Sequence, residues 1–200
     1  VHALPAAFLK SRPPVEIPAW WRVILTDRAL LGVTVTLFFS GVGAWRALVL
    51  HQAVGDALSR TYSAMSVLYS HQPHLAAIGF DWPPLPALAQ LPLLRIAPGL
   101  AFFGLSGDLV SALCAGLVAV ILLGLLRRLH IGRWGSLLLV VALFANPLMA
   151  THAANGMSEM PFLLFLVLGC DRFLAWAETG RWQQLAYAGV ACAGAFLCRY

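Results

Sequence analysis

From Leu109 to Leu126 the chain reads LVSALCAGLVAVILLGLL, eighteen residues without a charge, and then meets Arg127 and Arg128. An α-helix needs ~20 mainly apolar residues to cross the hydrocarbon core of a bilayer. One such run could serve as a lone anchor, so the rest of the composition matters. Of the 200 residues 60% are hydrophobic and 10% charged, with a mean hydropathy of +0.82. Soluble domains carry roughly 25% charged residues. So little polar surface excludes a soluble globule, a disordered chain, a secreted disulfide scaffold and a soluble nucleic-acid binder. The pattern defines an all-α, polytopic membrane helix bundle.

Five windows read as spans: 29–50, 109–126, 135–150, 160–177 and 185–200. The first holds Arg46, placed to snorkel to the far interface. The third carries Asn146-Pro147 near its end. The fifth is unfinished at Tyr200, and the chain begins at Val1, so an N-terminal portion of a longer protein is expected. A further stretch, 83–105, is apolar but holds Pro83, Pro84, Pro86, Pro92 and Pro98, with Arg95 near its middle. Interior prolines remove backbone hydrogen bonds that lipid cannot replace. This stretch is therefore expected to lie in the interface.

The net charge of +5 reads as orientation. Lys10, Arg12, Arg22, Arg28, Arg127, Arg128, Arg133, Arg172 and Arg181 fall on one side if 83–105 does not cross, and a basic excess marks the cytoplasmic face. Residues 1–28 are then a cytoplasmic segment, and 29–200 form the membrane domain. Its long outer loop, 51–108, carries a short interfacial helix at 56–69 and a second one opened by Pro83-Pro84. Trp20, Trp21, Trp45, Trp82, Trp134, Trp176 and Trp182 mostly flank the spans, as an aromatic belt does. Cys114, Cys170, Cys192 and Cys198 sit inside apolar runs and fit neither a disulfide framework nor a zinc site. His71 and His74 flank Pro73 and suit a turn better than a metal site.

Charge in a membrane protein is expensive and therefore informative. Asp56, Asp81, Asp108 and Glu159 fall on the outer side, three of them in the settings GDALSR, GFDWPPL and GMSEMP. Each has a plain structural alternative. Asp56 and Arg60 are spaced as an i,i+4 surface pair. Asp81 suits a cap for the helix opened by Pro83, and Asp108 a cap for the second span. Glu159 suits the first turn of the fourth span. Arg199 is placed to approach the outer face and meet a phosphate or a carboxylate.

In order, spacing and membrane side, these elements resemble the GT-C superfamily of membrane glycosyltransferases, in the branch of protein O-mannosyltransferases and the lipid A aminoarabinose transferase. Asp56 stands where that branch opens its outer loop with an acid. Trp82-Pro83-Pro84-Leu85 matches its His/Lys-Pro-Pro-Leu element, the basic turn 127–133 its cytoplasmic turn, and Glu159 the acid opening the fourth span. Ala57 replaces a second acid, and Trp82 replaces the basic residue. The resemblance implies transfer of a sugar from a polyprenyl-phosphate donor to an acceptor hydroxyl on the outer face, with inversion. Asp56 would be the base. Arg60 would hold Asp56 or contact the lipid phosphate. Asp81, Trp82 and Glu159 would line the pocket or orient the acceptor, and the proline-rich stretch would guide the lipid tail. Some members of the superfamily use a divalent ion, for which no ligand set stands out here. The expected partners are the polyprenyl-phosphate sugar, membrane lipids and other membrane subunits, without nucleic acid. The alternative is a non-catalytic structural subunit of a larger membrane complex. Transport is disfavoured, because no broken-helix pair recurs in two halves.

Overall fold

The computed structural model describes residues 19–79 and 81–199. Lys10 and Arg12 of the expected cytoplasmic segment lie outside the described residues. Three helices are long and apolar enough to cross a membrane: α1 (Ala19–Leu48), α5 (Leu105–Arg128) and α8 (Glu159–Thr179). The first runs ten residues further upstream than the expected span. Between α1 and α5 lie α2 (Gly55–Tyr69), a 3₁₀ turn (Leu75–Ile78), α3 (Leu85–Leu88), α4 (Leu91–Ile96) and a second 3₁₀ segment (Pro98–Gly104). After α5 come α6 (Arg133–Ala145), α7 (Pro147–His152) and, beyond α8, α9 (Trp182–Cys198). With 13 and 17 residues, α6 and α9 fall short of the ~20 that a perpendicular crossing takes. The expected third and fifth spans are thus present as shorter helices. Asn146 ends α6, and its side chain accepts from Leu148 N at 3.0 Å to cap α7, where Pro147 fills a first-turn position that needs no donor.

Glycine contacts give the helix directions. Along α1 and α5, Gly124 meets Arg28, Gly116 meets Gly32 and Thr36, and Gly43 meets Asp108, so the two helices are antiparallel. Gly169 meets Ala188 and Cys192 while Gly194 meets Phe165, so α8 and α9 are antiparallel too. Ser111 reaches Met157 and Arg128 reaches Asp171, which sets α8 parallel to α5. One end of the bundle therefore gathers the C-termini of α1 and α9 with the N-termini of α5 and α8. The other end gathers Arg28, Arg127, Arg128 and Arg172.

Because α1 and α5 are antiparallel, the chain between them leaves and re-enters at one end. With four and six residues, α3 and α4 rise only ~6 and ~9 Å and cannot cross. Their prolines sit at first-turn positions. Two expected caps are not formed. The α3 helix begins at Leu85, after Pro84, with no side-chain cap, so Asp81 does not cap it. The α5 helix begins behind Gly104, whose φ of 74° is left-handed; Asp108 lies inside its first turn and is buried.

The core is centred on α5, which packs against α1, α6 and α8. Its Ala112, Ala115, Val118, Ala119 and Leu123 are buried with Phe39 of α1, Phe144 of α6 and Met160 of α8. Between its two ends α5 presents no polar face, as befits a helix surrounded by other helices and lipid. Outward-facing Leu37, Phe38, Leu138 and Val190 are more than half exposed, a surface suited to lipid rather than water. A smaller cluster of Ala64, Ala87 and Leu94 fastens α2 to α3 and α4. Buried Gln90 ties this layer to the bundle: its Oε1 accepts from Thr61 Oγ1 at 2.8 Å and Ser106 Oγ at 2.7 Å.

Candidate functional site

Helix α2 lies across the end of the bundle with Asp56 in its first turn, a position where the helix dipole favours an acid. One turn on, Arg60 is buried at 3% exposure. The i,i+4 surface ion pair that was the plain alternative is not formed. Arg60 Nη1 donates instead to the backbone oxygen of Asp56 at 3.2 Å, and Nη2 to Ser158 Oγ at 3.4 Å. Its guanidinium carbon stands 4.7 Å from the centre of the Trp82 ring, within cation–π range. Burial pulls the Arg60 pKa below its usual value, while the neighbouring Asp56 and Glu159 draw it back up. Its Nε is buried without a partner. The Asp56 carboxylate makes no hydrogen bond or ion pair among the described residues.

The loop 153–158 brings Glu159 to the same place. Arg46, in the last turn of α1, donates from Nη1 to Ala154 O at 2.8 Å and so pins the loop. Asn155 Oδ1 accepts from Met157 N at 3.1 Å. Gly156 turns with φ of 70° and lies so close to Gly107 that a Cβ would come within 3.2 Å of its backbone carbon. At the start of α8, Glu159 Oε1 accepts from Arg199 Nη1 at 2.8 Å. Its Oε2 is buried with no hydrogen-bond partner, and His152 Nδ1 lies 3.8 Å away.

A cavity of about 240 Å³ joins these parts, with Asp56, Arg60, Asp81, Trp82, Glu159 and Arg199 in its wall. All five residues singled out from the sequence as site residues face it, although they come from α2, the loop before α3 and α8. Pro83, Met157, Ser158 and Cys198 complete the lining; the first three lie beside the sequence motifs already singled out, and only Cys198 depends on the antiparallel register of α8 and α9. Asp108 stays outside this wall. It is wedged against Gly43 of α1 and Gly156 of the loop, within electrostatic reach of Arg46. His71 and His74 are exposed on the loop after α2.

The arrangement is a polar cavity with three carboxylates and two guanidiniums, set at one end of an all-helical, multi-pass membrane bundle. The sequence model of the dolichyl-phosphate-mannose-protein mannosyltransferase family matches residues 81–200. The chain belongs to this family of GT-C-type membrane glycosyltransferases. Comparison with curated proteins and with solved structures gives no significant match. The family match begins at Asp81, so Asp56 and Arg60 enter the site through the fold alone.

Proposed function

We propose that the chain transfers a sugar from a polyprenyl-phosphate donor to an acceptor hydroxyl at the outer face of the membrane, with mannose the sugar that the family's description suggests. The observation that carries this reading is the convergence of Asp56, Asp81, Glu159, Arg60 and Arg199 on one cavity. Asp56, which like Asp81 makes no side-chain hydrogen bond or ion pair among the described residues and which the resemblance places at the family's outer acid, takes the acceptor's proton as the acceptor oxygen attacks the anomeric carbon. The bond from that carbon to the phosphate oxygen breaks, and the electron pair leaves with the polyprenyl phosphate. Arg199, 57% exposed at its side chain, meets the charge that grows there. Glu159 holds Arg199 through Oε1 and offers Oε2 to the acceptor. Asp81 and Trp82 line the same cavity, and Arg60 fixes α2 to the loop so that Asp56 is held in place.

A general base contributes about 10²–10⁴-fold to rate. The expected outcome for Asp56→Asn in full-length protein in native membranes is a loss of polyprenyl-phosphate-mannose turnover in that range, with unchanged expression. Equal turnover in both proteins would remove Asp56 from the mechanism. Wild-type protein inactive with every polyprenyl-phosphate sugar would reject the transferase reading itself.

A further inference from the structure

The end of the bundle opposite this site holds a second cavity, about 420 Å³, between α1, α5 and α8. Its wall carries four arginines, Arg28, Arg127, Arg128 and Arg172, with Asp171 as the one acid. Asp171 is already committed to Arg128 at 3.3 Å and to Arg172. Asp27, nearby, takes Arg127 at 3.4 Å and Arg133 at 3.0 Å, and Glu178 lies 3.8 Å from Arg128. Five guanidiniums thus share three carboxylates, a local excess of two positive charges (five less three). Arg28 has no ion pair among the described residues. Arg28 Nε and both Nε and Nη1 of Arg127 are buried without hydrogen-bond partners. Gly124 makes room for the Arg28 guanidinium, since a Cβ there would stand 3.3 Å from Nη1.

Buried N–H donors of charged groups left unpaired are costly, so this arrangement calls for an anion. The surroundings specify which kind. Val120 lines both this cavity and an adjoining apolar groove of about 310 Å³ between α1 and α5, bounded by Gly32, Val33, Leu37, Leu113 and Leu117. From Gly124 to Leu113 the cavity and the groove together follow α5 for ~17 Å at 1.5 Å per residue, along the direction of an acyl chain. We propose that the cavity binds the phosphate of an anionic glycerophospholipid, with one acyl chain laid in the α1–α5 groove. Planar guanidinium forks match phosphate oxygens, and basic residues at helix ends sit at headgroup depth. A free phosphate would fill the cavity and leave the groove empty; a lipid uses both.

The test uses full-length protein stripped of lipid in neutral detergent, with bound lipid counted by native mass spectrometry. Dioleoyl-phosphatidylglycerol should bind about tenfold more tightly than dioleoyl-phosphatidylcholine, the worth of one strong charged contact. Arg28→Gln should erase that preference, Arg28→Lys should keep much of it, and Leu113→Trp, which blocks the groove, should weaken both lipids. Because Arg28 has no ion pair among the described residues, Arg28→Gln should melt like the wild type in lipid-free detergent. Equal retention of the two lipids, or equal phosphatidylglycerol binding by wild type and Arg28→Gln, would overturn the proposal. So would displacement of the lipid by millimolar inorganic phosphate with Leu113→Trp neutral, which would mark a free-anion site. A lowered melting point for Arg28→Gln without lipid would place its partner inside the protein and also overturn it.

Discussion

Glu159 and Arg199 stand 40 residues apart in sequence and meet because α8 and α9 pack antiparallel around a tight turn at Gly180. In the proposed mechanism their pairing keeps a cation next to the leaving phosphate while the second carboxylate oxygen stays free. Arg199→Gln should therefore lower kcat by roughly 10²-fold, the scale of losing one donor to a developing charge, with a smaller change in KM. An unchanged kcat measured in native membranes would take Arg199 out of the transition state. At another position the packing leaves little room for the second outer acid that the resemblance implies. Ala57 is buried, and its Cβ and Asp108 Oδ1 each lie 3.1 Å from where a Gly156 Cβ would be. An aspartate at 57 would press a second carboxylate toward Asp108 in a buried site, and unpaired buried charge costs several kcal/mol. Ala57→Asp should lower the melting temperature sharply, and Asp108→Asn added to it should restore part of the loss. Additive effects of the two changes would show that the positions do not interact.

The α1–α5 pair is built on small residues, and this is where element-scale stability is concentrated. A Cβ on Gly116 would stand 2.0 Å from Thr36 Oγ1 and 2.6 Å from the backbone oxygen of Gly32. The backbone cannot yield as a side chain can, and close approach through small residues is how membrane helices gain dispersion contact without a hydrophobic driving force. Gly116→Val should cost more than the ~1–3 kcal/mol typical of overpacking, read as lost folded protein in detergent. Gly41→Ala, on the same helix pair with open space around it, should leave stability level or slightly raised. Equal behaviour of the two variants would show that α1 and α5 do not pack this way. Much of the element order was legible: the charge-free run 109–126, the helix at 56–69 and the proline-broken interfacial stretch all rest on local chemistry. The misplaced caps show the limit. Asp81 and Asp108 carry good cap chemistry, yet Pro84 and left-handed Gly104 set the actual starts, because backbone geometry imposed by packing outranks side-chain preference. The lengths of α6 and α9 were equally hidden, since hydropathy does not mark where Asn146-Pro147 or the approach of Arg199 to Glu159 ends a helix.

At the scale of the whole molecule the two ends carry different chemistry. Asp56, Asp81 and Glu159 gather at one, and Arg28, Arg127, Arg128, Arg133 and Arg172 at the other. The sequence showed this separation because charges are rare in an apolar chain, so each is conspicuous and its side follows from counting spans. It did not show that loop 153–158 folds under α2, which depends on Arg46, Asn155 and Gly156 acting together. The positive-inside rule supports the proposal that the basic end faces the cytoplasm, and on that proposal the carboxylate cavity faces outside. Single cysteines at Gln72, exposed beside α2, and at Gln183, exposed at the start of α9, separate the two faces. In intact cells expressing the full-length protein, a membrane-impermeant maleimide should label Gln72→Cys and spare Gln183→Cys until the membrane is opened. The opposite pattern would invert the molecule and turn the candidate site toward nucleotide-sugar pools. Labelling of both in intact cells would contradict the parallel α5–α8 arrangement, which puts the α8–α9 turn at the end of the bundle opposite residues 49–104.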